Sequence, residues 1–255
     1  MSDAIPHRRQ GMVFGWLLAL AVATAFAWLG VWQLDRMDEK QAKLDAAANA
    51  LVPQSAKPLL LASDPARVQE YDWASGGGAL ANATLWLDNQ IQDGKPGVRM
   101  YCVLLPDDGV QALLLDAGWW PLDGQRVLPV FGCPVGRAQQ VRGLLAPPPS
   151  SGLVRGDAMA DAGPRRWLAT RIDPVAIAGA LQLSAGIAPR VLRLDPARKK
   201  GDAGVMVVPG VRDLVILPNT LPPARHLGYA VQWFALALTV LVVAVVLTLK
   251  ARKQT

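Results

Sequence analysis

The chemistry open to this chain is limited first by its histidines, because there are only two, His7 and His226. The long stretch between them has none, which excludes Ser-His-Asp hydrolysis and histidine-based zinc sites from any domain built there. Cys102 and Cys133 are 31 positions apart, and the methionines are scattered, so a copper-binding cluster is not indicated either. There is no phosphate-binding loop of the Gly-x-x-x-x-Gly-Lys-Ser/Thr type. A Ser-Lys dyad stays open, but no serine is marked as a nucleophile, so the sequence does not indicate an enzyme.

The segment around His226 is the remaining candidate for chemistry. His226, Tyr229 and Trp233 are spaced at i, i+3 and i+7, which places an imidazole, a phenol and an indole on one face of a helix. One interpretation is an aromatic belt with a polar anchor at a membrane surface, and the residues alone favour it. The other is a haem pocket, in which His226 supplies an axial nitrogen to the iron, the rings cover the macrocycle and Arg225 faces the propionates.

Two uncharged, apolar runs must position these residues. They cover residues 12–31 and 230–249, and each would rise about 30 Å as a helix, which matches the hydrocarbon core of a bilayer. We therefore predict an integral membrane protein with two transmembrane helices. The first run also resembles a cleavable secretory signal, but it is longer than a signal core, so we expect it to be retained.

The orientation follows from the tails, because basic residues near the ends of a span resist translocation. Arg8 and Arg9 precede the first run, and three basic residues at 250–253 follow the second. We predict that the tails 1–11 and 250–255 are cytoplasmic and that residues 32–229 form an extracytoplasmic, periplasmic domain. The net charge of +6 comes mostly from these tails. It indicates topology and contact with membrane lipid, and no nucleic-acid partner is expected.

A stripe of small residues at spacing four runs along the first span, and such stripes allow a second helix to approach closely. Its members are Gly11, Gly15, Ala19, Ala23 and Ala27. The partner could be the second span or a helix of another protein, and the spacing leaves both open. Good helix formers follow the span, so we expect the helix to continue until Pro53.

The middle of the chain has the turn chemistry and short apolar runs of a mainly β, α+β domain, which we expect to be antiparallel and barrel-like. The predicted strands cover residues 83–89, 98–105, 111–116, 139–145, 166–172 and 190–194. One helix is predicted from Pro174 to Leu183, with Asp173 as its N-cap. Cys102 and Cys133 could form a disulfide or could be two small buried hydrophobic residues, and both readings stay open.

Several motifs, in this order and on this topology, resemble those of the surfeit locus protein 1 family, the assembly factors of cytochrome c oxidase. They lie at residues 29–36 (Leu-Gly-Val-Trp-Gln-Leu-Asp-Arg), 87–90, 93–97, 118–121, 142–144 and 226–237. The last, His-Leu-Gly-Tyr-Ala-Val-Gln-Trp-Phe-Ala-Leu-Ala, is the most specific. One departure is the pair Asp116-Ala117, where the family usually has Asn-Arg.

The resemblance implies a non-enzymatic protein of the bacterial inner membrane that delivers or guards haem a while oxidase subunit I matures. Subunit I is the implied partner, with haem a synthase as a further candidate. In bacterial relatives the histidine matched by His226 is associated with haem, and this shifts the preferred interpretation from the belt to a haem ligand. Arg225, Tyr229 and Trp233 complete the expected cofactor site. The alternatives are a membrane scaffold without a cofactor and a membrane-tethered enzyme.

Overall fold

The computed structural model describes residues 4–52, 55–149, 156–198, 210–217 and 220–253. The chain divides into two compact units, which are described separately. One unit combines Met1–Leu44 with Thr220–Thr255, and the other is Asp45–Asn219. The outermost residues of both predicted tails, 1–3 and 254–255, lie outside the described residues.

The described chain contains three α-helices and seven strands, besides two short 3-10 helices at Leu59–Ser63 and Pro65–Arg67. In chain order they are α1 (Ala4–Leu51), β1 (Asp72–Gln92), β2 (Lys95–Pro106), β3 (Ala112–Pro121), β4 (Gly136–Ala146), β5 (Met159–Asp161), β6 (Arg166–Ala169), α2 (Pro174–Leu181), β7 (Ile187–Leu194) and α3 (Pro223–Lys253).

The first unit is built from α1 and α3, which run antiparallel. Trp16 on α1 donates from Nε1 to Thr248 on α3 at 3.0 Å, and near the other end Lys40 donates to the carbonyl of Leu221 at 2.7 Å. Both helices are long and apolar enough to cross a membrane, and the predicted spans 12–31 and 230–249 lie within them. The expected continuation of the first helix is confirmed, since α1 extends to Leu51.

The small-residue stripe is only partly covered by α3. Ala23 is buried and Ala27 is half-buried, whereas Gly11 and Gly15 are exposed. Gly30, one turn beyond the stripe, packs closely against α3, because a Cβ atom there would lie 2.7 Å from the ring of Phe234. The second span is therefore one partner of the stripe, and its N-terminal glycines are left uncovered within the described unit.

The second unit contains a seven-stranded sheet in the order β2-β3-β7-β4-β1-β6-β5, with β1 also paired to β2. The expected antiparallel, barrel-like sheet is wrong: the sheet is mixed and is not a barrel. β6 runs parallel to β1, and β7 runs parallel to β3. An apolar run indicates that a strand is buried, but it does not indicate the direction of the strand. The direction depends on the connection that precedes it.

All six predicted strands are present, and the helix α2 begins at Pro174 as predicted. The Asp173 carboxylate caps it by accepting from the N–H groups of Val175 and Ala176. The helix ends two residues early because Gln182 adopts a left-handed conformation with φ of +54°. The three-residue strand β5 was not predicted, since it is too short to carry a pattern.

β1 is much longer than predicted because its first half contains three consecutive glycines, which weaken a strand signal. Here the glycines are required by close packing. A Cβ atom on Gly78 would lie 2.4 Å from the carbonyl oxygen of Leu105 on β2, and one on Gly76 would lie 2.9 Å from Leu59. The glycines therefore allow β1 to continue between its neighbours.

Both faces of the sheet are buried. One face carries Trp86, Met100 and Cys102, and the other carries Leu87, Tyr101 and Ile177 of α2. Because successive side chains of a strand point to opposite faces, this explains the continuous apolar runs of the central strands. The structure also decides between the two readings of the cysteines, because Cys102 and Cys133 form a disulfide.

Candidate functional site

His226 lies in the first turn of α3, on the face that packs against α1. Its side chain is buried, with 7% of its surface exposed. The Nδ1 atom lies 2.7 Å from Oε1 of Gln33 on α1. An amide oxygen only accepts, so the proton of this hydrogen bond belongs to Nδ1, and the neutral ring then carries its lone pair on Nε2.

The Nε2 atom of His226 is the unusual feature of this site. It is buried and has no hydrogen-bond partner among the described residues. Buried polar atoms are nearly always paired, so an orphaned imidazole nitrogen needs an explanation. A nitrogen with a free lone pair, on a ring oriented by a bond to its other nitrogen, is how histidine is prepared to bind a metal.

The other predicted site residues are only partly brought together with His226. Trp233 is half-buried and stacks at a tilt on Phe26 of α1, with ring centroids 5.5 Å apart. Tyr229 is 37% exposed, and Arg225 is exposed. The α1-facing stripe of α3 therefore includes His226, Trp233, Phe234 and small residues, whereas the exposed Tyr229 lies outside it.

Gln33 is the partner of His226 that the sequence analysis did not single out. It belongs to the motif at residues 29–36, which was used only for the resemblance. Its signal was a polar amide directly after an apolar span, and polar side chains at this depth often bond across helices. The position of its partner on α3 could not be known before the helices were paired.

Asp116, the departure noted above, lies in a buried ion network of the second unit. Its carboxylate accepts from Arg99 at 2.9 Å and from the N–H of Gly118 at 3.1 Å. Asp213 accepts from Arg99 at 2.7 Å and from Arg193 at 2.8 Å. Two arginines and two carboxylates thus balance, and the network fastens the segment around Asp213 to β2, β3 and β7.

A comparison with family models assigns the chain. The model described as the SURF1 family matches residues 20–238, which is most of the chain. This chain belongs to the SURF1 family. The family is associated with cytochrome c oxidase assembly, and its members are assembly factors. No curated protein matches the chain.

The family match runs from within α1 to within α3, so it includes both Gln33 and His226. It also includes the internal motifs, which have structural roles in the second unit. Trp119 donates from its indole nitrogen to the carbonyl of Gln90 at 2.9 Å. A Cβ atom on Gly97 would lie 2.3 Å from the carbonyl of Trp120. These two contacts hold the turn after β1 close to the end of β3. The internal motifs of this SURF1 family member therefore stabilise the fold of the second unit.

Proposed function

We propose that this protein is a membrane-anchored, non-enzymatic assembly factor that binds haem a through His226 and assists its insertion into subunit I of cytochrome c oxidase. The observation that carries the proposal is the buried Nε2 atom of His226, which has no partner among the described residues while Gln33 fixes the ring. The family supports the link to oxidase assembly. Haem a synthase is the candidate that would supply the cofactor.

The residues present fit a haem group. His226 would provide a nitrogen to the iron, Trp233 an aromatic wall and the exposed Arg225 a cation for a propionate, whereas Tyr229 lies outside this arrangement. Bound haem would supply an iron that accepts the imidazole lone pair. The chain itself orients that lone pair through Gln33 and keeps water from Nε2 by burial.

One chain cannot supply two histidines to the same iron. His7 precedes the first predicted span, so it would lie on the opposite side of the membrane, roughly 30 Å away. His226 would therefore be the one histidine by which this chain holds the haem. A cofactor held by one histidine of the chain is suited to a protein that passes it on.

We further propose that the protein resides in a bacterial inner membrane, with residues 32–229 in the periplasm and both tails in the cytoplasm. Basic tails beside two apolar helices support this orientation. The Cys102–Cys133 disulfide also supports it, because such bonds persist in oxidising compartments. Thiol trapping in intact cells checks the placement: the pair should be oxidised, and free thiols in freshly trapped protein would contradict it.

A cofactor-free scaffold is the competing function, and the same hydrogen bond favours it in part. A bond between Gln33 and His226 also joins two membrane helices, and polar bonds between such helices stabilise their packing. The two functions differ in the role of Nε2. The scaffold needs only Nδ1, whereas haem binding needs Nε2.

An absorption spectrum of protein purified from cells that make haem a separates them. Wild type should show a Soret band, and His226→Ala should lose most of it while remaining inserted. Tyr229→Phe is the matched control, since Tyr229 lies away from the α1-facing stripe, and it should retain the band. No band in wild type with oxidase maturation intact would establish the scaffold, and unchanged haem in His226→Ala would refute the ligand assignment.

A further inference from the structure

A small pocket on the second unit, here called the arginine pocket, is lined by three arginines and one carboxylate. Arg142 comes from β4, Asp195 and Arg198 follow β7, and Arg212 belongs to the segment fastened by Asp213. All three guanidinium side chains are half-buried. The pocket therefore concentrates positive charge at one place, and neither the fold nor the proposed haem site accounts for it.

The single carboxylate is already fully engaged by Arg142. Both Nε and Nη2 of Arg142 donate to Oδ2 of Asp195, at 3.0 and 2.5 Å. The other oxygen, Oδ1, accepts from the N–H of Ala197 at 2.9 Å. Arg142 is also stacked over Trp73 at 5.6 Å. This pair is neutral and fixed, so it forms one wall of the pocket.

The other two arginines have only neutral partners among the described residues. Arg198 donates to the amide oxygen of Gln140 at 3.0 Å, and Arg212 donates to the carbonyl of Asp195 at 3.3 Å. Neither lies within 4.0 Å of a carboxylate in the described parts of the chain. Burial, opposed by the Asp195 carboxylate, lowers the pKa of the Arg212 guanidinium. Among the described residues, these two positive charges therefore have no carboxylate partner in a partly desolvated place.

Arg212 is held in position from both sides. Val211 exchanges two backbone hydrogen bonds of 2.9 Å with Trp119, and Asp213 is bound by Arg99 and Arg193. The half-buried side chain of Arg212 therefore extends from a fixed stretch of backbone. A cation that is preorganised and lacks an anion is typical of a binding site, because the ordering cost is met by the fold.

We propose that the arginine pocket binds the phosphate group of a small ligand, which Arg198 and Arg212 neutralise while the Arg142–Asp195 pair forms the wall. The cavity of about 20 Å³ has room for about one water-sized group, which matches a single phosphate oxygen with the rest of the ligand outside. Planar guanidinium groups are well suited to phosphate oxygens. Free phosphate and the headgroup of an anionic phospholipid share this chemistry.

The test is a calorimetric titration of the full-length protein in neutral detergent with inorganic phosphate and, separately, with short-chain phosphatidic acid. Arg212→Gln and Arg198→Gln should each weaken the binding about tenfold, the loss expected for one charged hydrogen-bonding partner. Arg137→Gln is the control. It removes one positive charge from an exposed pair with Asp107, and binding should be unchanged. Melting temperatures of all variants show whether they are folded.

The two probes distinguish the source of the phosphate group. Equal affinities indicate free phosphate, and tighter binding of phosphatidic acid with the same arginine dependence indicates a lipid headgroup. Failure of wild type to bind either probe would overturn the proposal. So would an equal loss in Arg137→Gln, which would mean unspecific attraction. Binding of a glutamate-rich peptide through Arg212, without phosphate binding, would assign the pocket to an acidic protein partner instead.

Discussion

His226 Nδ1 lies 2.7 Å from Gln33 Oε1, so the first turn of α3 is hydrogen-bonded to the part of α1 that directly follows the predicted first span. The two residues are 193 positions apart. The bond fixes both the orientation and the tautomer of the ring, and Nε2, the nitrogen left free to bind a metal, has no partner within the described parts of the chain. In the proposed haem site, Gln33 is therefore a positioning residue for His226.

We predict that Gln33→Leu lowers haem occupancy about tenfold or more, the usual effect of losing a partner that orients a metal-binding histidine. Without the acceptor, the proton can move to Nε2 and the ring can turn. Haem per protein and the position of the Soret band measure this. Gln33→Glu keeps an acceptor and should retain binding. Wild-type haem content in Gln33→Leu would show that the bond only joins the helices.

The sequence predicts the elements of this protein better than their pairing. The spans, the capped helix at Pro174 and six strands follow from patterns confined to short segments. The parallel pairs β1–β6 and β3–β7 do not, because an apolar run that is buried on both faces carries no sign of direction. The prediction of an antiparallel, barrel-like sheet was wrong for this reason.

The candidate site shows the same difference: features within one helix were predictable from the sequence, and contacts between helices were not. Helical spacing places His226 and Trp233 on one face, and the structure has both on the stripe that faces α1. The same spacing placed Tyr229 with them, but its i+3 position falls at the edge of the stripe and is exposed. Gln33 required knowledge of the helix pairing, which no pattern within either helix contains.

Gly30 tests the packing of the helix pair. A Cβ atom there would lie 2.7 Å from the Phe234 ring, so we expect Gly30→Val to destabilise the pair by about 1–3 kcal/mol through overpacking. Thermal unfolding in detergent measures the effect. Gly15→Val is the control, because nothing lies within 4 Å of its position. If the two variants melt alike, Gly30 does not limit the approach of α3.

We predict that protonation of Asp72 lowers the free energy of unfolding in acid. Burial raises the pKa of its carboxyl, but hydrogen bonds from Lys57, Arg67 and Arg190 outweigh burial and lower the pKa from 3.8 to about 2. A lowered folded-state pKa means that the stabilisation is present above pH 3.8 and is lost as the pH falls through about 2. The loss is on the order of 2 kcal/mol.

Unfolding of the wild type, monitored by tryptophan fluorescence between pH 5 and pH 2, should show this loss in the free energy of unfolding. In Asp72→Asn the group cannot titrate, so its part of the pH dependence should disappear. Lys57 and Arg190 then lose their anion, whereas Arg67 keeps Glu70, and the variant is less stable at neutral pH. An identical pH profile for wild type and Asp72→Asn would mean that other carboxyls cause the acid loss.

Asp116 tests whether the buried ion network holds the second unit together. Asp116→Ala leaves Arg99 and Arg193 sharing Asp213 alone, so one buried positive charge becomes unpaired. We expect a loss of about 3 kcal/mol in the free energy of unfolding, since removing one partner of a buried pair is far more costly than never having had the pair. Asp107→Ala, from an exposed pair with Arg137, should cost less than about 1 kcal/mol.

Asp116→Asn refines the same test, because asparagine is the residue that the family resemblance implies at this position. It keeps one oxygen, which can accept from Gly118 or from Arg99, but it loses the second acceptor and the charge, so its loss should fall between wild type and Asp116→Ala. Urea unfolding of wild type, Asp116→Asn and Asp116→Ala at neutral pH gives the order of their stabilities. If Asp116→Asn is as stable as wild type, the hydrogen bonds of this side chain hold the network and its charge is dispensable. If Asp116→Ala is also as stable, Asp213 alone fastens its segment to the sheet.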